Sequence, residues 1–165
     1  MPKKTLVKVF AVLAVLAIAF ASFTISLGGD DEVTESVAGL PAVTANAGEA
    51  PTITRPTGEA PATLQTQDII VGTGAEVLPT STLTVHYTLM SWSSGEVLES
   101  SWTSGQPATF PLSGVIAGWQ EGLPGTKVGG RRLLVIPPSL GYGPSAGHPL
   151  EKETLIFTVD IIAVS

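Results

Sequence analysis

Apolar and polar residues alternate strictly over Thr82–Leu89. Leu83, Val85, Tyr87 and Leu89 fall on one side, and Thr82, Thr84, His86 and Thr88 on the other. A period of two is the signature of a half-buried strand. The same alternation returns near the end of the chain, where Leu155, Phe157, Val159 and Ile161 interleave with Ile156, Thr158, Asp160 and Ile162. "RRLLVI" (131–136) predicts a third strand, stopped by Pro137-Pro138. Gly95–Ser100 reads as a shorter fourth after a Ser-Gly turn, and "DIIVGTG" (68–74) as a fifth. Only one stretch has helical spacing. Val115, Ile116, Trp119 and Leu123 share one face, with Ser113 as a candidate N-cap. Gly118 and Gly122 weaken that helix, so packing must hold it. A short helix with one wide apolar face needs a sheet to cover it. The pattern therefore predicts an α+β domain, an antiparallel sheet wrapped on one short helix.

The first 67 residues lack this pattern. Lys3, Lys4 and Lys8 precede Val9–Leu27, a run of 19 residues without a charge. A basic start followed by an apolar run is an export signal. Two versions fit: cleavage after Ala21 at the small-x-small site Ala19-Phe20-Ala21, or an uncleaved anchor just long enough to span a bilayer. Residues 28–67 are rich in Ala, Thr, Pro and Gly, with a near repeat at Gly48-Glu49-Ala50-Pro51 and Gly58-Glu59-Ala60-Pro61. That composition buries little surface, so the segment is expected to be a flexible linker. The expected organisation is signal or anchor over 1–27, linker over 28–67 and folded domain over 68–165.

Composition narrows the chemistry. No cysteine is present, which excludes disulfides, thiolate metal sites and lipidation after the apolar run. Cleaved after Ala21, the chain would carry five Lys/Arg against 14 Asp/Glu, a net charge of −9. Nucleic-acid binding needs a basic face, so it is not expected. With two histidines far apart and no EF-hand spacing of acids, neither a metal nor another cofactor is expected.

Gly143-Pro144-Ser145-Ala146-Gly147 matches G-x-S-x-G, the pattern of a serine nucleophile on a strand-to-helix elbow. The context is wrong for it. Pro144 sits inside the motif, Gly147-His148-Pro149 follows as loop, and no acid stands ready to orient His148. Tyr87, Phe110, Trp119, Tyr142 and Phe157 are the more informative residues. Five rings on inner-face or loop positions suit either a plain core or an apolar dish with a few polar handles, the general form of a small-ligand site.

The run from Val85-His86-Tyr87 through Val115-Ile116-Ala117-Gly118-Trp119 to the Pro137–Gly143 loop and the last strand resembles the FK506-binding-protein (FKBP) type peptidyl-prolyl cis-trans isomerases. The resemblance spans Asp68–Ile162 in one collinear order. It implies five to six antiparallel strands around a short helix and a prolyl isomerase without a cofactor, which the export segment would place on proteins folding outside the cytoplasm. It assigns the site to Tyr87, Leu98, Glu99, Phe110, Val115, Ile116, Trp119, Tyr142 and Phe157. Leu98-Glu99 stands where the family usually has Phe-Asp, and Pro149-Leu150 where it usually has Ile-Pro. The implied partners are Xaa-Pro segments of folding proteins and, with reduced affinity, FK506-like macrolides. The membrane is implied only through the N-terminal segment. The substituted pair also suggests an alternative, a proline-binding chaperone or adaptor with weak turnover or none.

Overall fold

The computed structural model describes residues 39–165. Six strands form one antiparallel sheet: β1 (Gln65–Ile70), β2 (Thr82–Ser91), β3 (Val97–Ser100), β4 (Ala108–Pro111), β5 (Arg131–Ile136) and β6 (Leu155–Val164). Their order is β1-β5-β6-β2-β3, with β4 also on β2. β6 occupies one edge of β2 along nearly its whole length. β3 pairs with Thr88–Met90 and β4 with Thr82–Val85 on the other edge, so together they act as one interrupted edge strand. The single helix of the described residues is α1 (Ala117–Gly122).

β4 escaped the sequence reading. Four residues ending in proline carry no usable period, and pairing to β2 alone makes them a strand. Ser113 is not the N-cap. It lies in a 3-10 turn, Leu112–Gly114, and Ile116 in extended conformation opens the helix without a side-chain cap. The helix glycines have a use beyond weakening it. A Cβ on Gly118 would stand 2.5 Å from Ile136 Cγ2, and one on Gly122 2.5 Å from Leu134 Cδ2. Only glycine lets α1 press this closely onto β5.

β5 shows why "RRLLVI" does not alternate: both of its faces are covered. Leu134 and Ile136 face the helix side with Leu83, Val85, Leu89, Phe157 and Val159. Leu133 and Val135 face the opposite side with Met90, Trp92 and Ile156. The cover on that second side comes from the segment read as linker. Val43 and Ile53 form a bridge, both buried, closing a hairpin laid across the back of the sheet. The flexible-linker expectation is thus corrected over this hairpin, and the sheet begins at Gln65 rather than Asp68.

Arg131 fastens the hairpin. Its side chain is fully buried, which an arginine tolerates only with every donor satisfied. Nε and Nη2 donate to the two carboxylate oxygens of Asp160 at 2.8 Å each. Nη1 donates to the Thr44 carbonyl (2.9 Å) and Asn46 Oδ1 (3.0 Å), and Nη2 to the Glu49 carbonyl (2.6 Å). All five N–H groups of the guanidinium are used. Burial pushes Asp160 above the usual carboxylate range, against the pull of Arg131. Further along, Trp92 Nε1 donates to the Gly58 carbonyl. Among the described residues no helix is long and apolar enough to cross a membrane, and the apolar run 9–27 lies outside them.

Candidate active site

The helix-side face of the sheet opens into a cavity of about 360 Å³, the size of a small-ligand site. β2 supplies Tyr87 and Leu89, β3 Glu99, β4 Phe110, and β6 Phe157. The turn before α1 supplies Gly114, Val115 and Ile116, α1 itself Trp119, and the β5–β6 loop Tyr142. Four rings meet edge to face. Trp119 stands at 87° to Phe157 with centroids 5.3 Å apart, and at 88° to Phe110 at 6.0 Å. Tyr87 meets Trp119 at 5.9 Å and 78°. This is the favourable geometry for ring quadrupoles, so the box keeps its shape without a ligand.

Alternation puts Tyr87 beside Leu89 on β2, and Leu89 pairs with Glu99 across to β3. The Tyr87 hydroxyl donates to Glu99 Oε1. Burial first, and then that carboxylate, push the Tyr87 phenol up to about 12. The Ile116 carbonyl accepts from Trp119 and Gln120 N–H as the helix begins. The Ile116 N–H and the Tyr142 hydroxyl make no hydrogen bond within the described residues. Two donors therefore stand open on a wall that is otherwise apolar apart from the Tyr87–Glu99 pair.

Tyr142 is set by its loop. Its ring stacks on His148 with centroids 4.0 Å apart and planes 8° from parallel. His148 Nδ1 accepts from the Leu150 N–H (3.1 Å), which fixes the imidazole's orientation. Gly143 follows where a Cβ would meet the Pro138 carbonyl oxygen at 2.5 Å, and its N–H donates to that oxygen. Ser145 is turn chemistry: its N–H donates to the Tyr142 carbonyl, and its carbonyl accepts from His148 N–H. No strand enters and no helix leaves the G-x-S-x-G match, so it is no nucleophile elbow.

Eight of the nine sequence-derived residues line one cavity; Leu98 does not. Opposite Leu89 and Met90, β3 carries an extra residue, and Leu98 is that bulge residue, 43% exposed. Leu89 and Gly114 were missed. Leu89 was legible as the inner-face neighbour of Tyr87; Gly114 has no sequence signal.

A small antiparallel sheet around one short helix, with a preformed aromatic box and open donors on its wall, has the form of a small-ligand binding domain. A family model described as FKBP-type peptidyl-prolyl cis-trans isomerase matches residues 74–162. A "Probable FK506-binding protein" of Corynebacterium glutamicum is 54% identical over 101 residues, covering 61% of this chain and 86% of that protein. The "Outer membrane protein MIP" of Legionella longbeachae is 42% identical over 103 residues, 61% of this chain and 44% of that protein. The crystal structure of FkpA from Escherichia coli superposes with a TM-score of 0.57 at 37% identity, over 62% of this chain and 48% of that one. The chain belongs to the FKBP-type peptidyl-prolyl cis-trans isomerase family, and its activity is the cis-trans isomerisation of peptide bonds to proline in proline-containing peptides.

Proposed function

We propose that the aromatic cavity is the seat of this activity, with Tyr87, Glu99, Phe110, Val115, Ile116, Trp119, Tyr142 and Phe157 as the residues that meet substrate. The observation that carries the reading is the box of rings standing edge to face around Trp119, flanked by two donors without partners among the described residues. Rotating a peptide bond costs about 18–20 kcal/mol because amide resonance must be broken. At the twisted transition state the carbonyl is less polar than in the planar ground state. An apolar box favours that state over the hydrated ground state, and each tenfold of rate needs only about 1.4 kcal/mol of such preference. The Ile116 N–H holds one substrate carbonyl and the Tyr142 hydroxyl another, so the chain is fixed on both sides of the rotating bond.

A protease-coupled assay on Xaa-Pro peptides tests this. Micromolar protein accelerates the slow cis phase, and Trp119→Leu removes most of the effect while the far-ultraviolet spectrum keeps its shape. Equal rates for wild type and variant would refute the placement. FK506-like macrolides enter the same box with reduced affinity, since Leu98 offers no ring. Competition in the same assay measures that.

The basic start and the apolar run support export, and a relative named as an outer membrane protein is consistent with it. The substrates are then Xaa-Pro segments of proteins folding outside the cytoplasm. The membrane is met only through the N-terminal segment. The functional unit begins at the back hairpin rather than at Asp68. Mass spectrometry of the mature N-terminus distinguishes release after Ala21 from an anchored form.

A further inference from the structure

The cavity wall carries a single carboxylate. Glu99 is exposed, its Oε1 accepts the Tyr87 hydroxyl, and its Oε2 has no hydrogen-bond partner among the described residues. No lysine or arginine lines the cavity. Arg131 and Arg132 are engaged by Asp160 and Asp68, and no described cation makes an ion pair with Glu99. The anion thus sits at the edge of an apolar box, where displacing water strengthens its attraction for a cation. Val97 and Leu98, on the same strand, are 54% and 43% exposed. Lysine and arginine bury an aliphatic stem on such a surface and leave the charged head free.

We infer that Glu99 is a specificity-determining residue that selects prolines flanked by lysine or arginine and disfavours those flanked by acids. The inference rests on the cavity being the active site. The stem of the basic residue lies over Val97 and Leu98, its head meets Glu99 Oε2, and the proline ring enters the box beside it. Attraction and repulsion at exposed charges are each worth up to about fivefold, and about threefold falls in the upper part of that range. A Lys-Pro peptide and a Glu-Pro peptide differ by both, so about tenfold separates them.

The test compares kcat/KM for three peptides that differ only in the residue before proline: lysine, leucine or glutamate. At low ionic strength the expected order is lysine, leucine, glutamate. About 1 M salt shortens the screening length to about 3 Å and brings the three together. Glu99→Gln collapses the lysine-to-glutamate ratio toward one at low salt, and Glu99→Lys inverts it. Glu76→Gln, a charge removed away from the cavity on the bridge to Lys127, keeps the wild-type ratio. That variant separates Glu99 from the protein's overall negative field. A wild-type ratio near one, or a ratio that survives Glu99→Gln, overturns the inference while turnover of the leucine peptide leaves the active-site reading standing. Failure to turn over any of the three overturns both.

Discussion

Replacing Arg131 by methionine removes the fastening of the back hairpin and leaves the face with the cavity untouched. The loss can be worked from its partners. Asp160, 7% exposed, loses the two bonds that compensate its burial. Breaking a buried pair by removing one partner costs about 3–5 kcal/mol. The Thr44 and Glu49 carbonyls lose their donor as well, but the hairpin can peel into water, which caps that part of the cost. A loss of about 3–5 kcal/mol is a large share of the roughly 5–15 kcal/mol that holds a domain folded. With a urea slope of about 1–3 kcal/mol/M, the midpoint falls by more than about 1 M. The discriminating variant is Arg131→Met with Asp160→Leu, which leaves no orphaned carboxylate and recovers a good part of the loss. Hydrogen exchange supplies a second readout, because the Thr44 and Thr54 amides, bonded across the hairpin, exchange faster in the single variant. A single variant within 1 kcal/mol of wild type, or a double variant showing the plain sum of two losses, would refute the reasoning. Isomerase activity per folded molecule stays within about twofold, since the two faces do not share this contact.

Three further outcomes follow from the same contacts. Of the two tyrosines, Tyr87 titrates at about 12, so absorbance near 295 nm shows a late step that Tyr87→Phe abolishes. Its phenol is raised on folding, so its contribution to stability is complete below the ordinary value of about 10 and fades as pH climbs through 12. Gly122→Ala drives a Cβ into Leu134 and lowers stability by about 1–3 kcal/mol despite alanine's better helix propensity, measured as a fall in melting temperature. Burial pushes Glu153 up, but bonds from the Ser93 N–H (2.9 Å) and hydroxyl (2.7 Å) outweigh it and hold the carboxyl below its usual range. Its contribution is therefore present at neutral pH and lost as the solution is acidified. Glu153→Gln is less stable than wild type at pH 7, and the gap closes below about pH 4.

The long strands were legible because polar residues alternate with apolar ones, on a half-exposed face at Thr82, Thr84 and His86 of β2 and at the buried Thr158 and Asp160 of β6. Thr82, Thr84 and Thr88 mark the outer side of β2 so clearly that Tyr87 and Phe157 could be placed on the inner face unaided. β5 was legible by its bounding prolines but not by period, since the hairpin covers its second face. The hairpin itself was hidden by its composition. Val43 and Ile53 are its deep anchors, and much of the rest of its hold is backbone carbonyls that every sequence has, with Asn46 Oδ1 the hairpin's one side-chain acceptor for Arg131. A signal did exist on the other side: an arginine opening an apolar strand must find acceptors, and those acceptors had to come from elsewhere in the chain. Leu98 entered the site through the resemblance alone; the bulge at Leu98 in β3 leaves it exposed and off the cavity lining.

The hairpin also decides which way the molecule faces. It docks behind the sheet, and the aromatic box opens in front of it. Leu40, near the start of the described chain, packs on that rear layer. Anything fixed there, whether a bilayer, a bead or a fused partner, holds the protein by its back with the mouth turned outward. Attachment at that end leaves the approach of an incoming polypeptide unobstructed, whereas a load placed on the β5–β6 loop would sit across the opening.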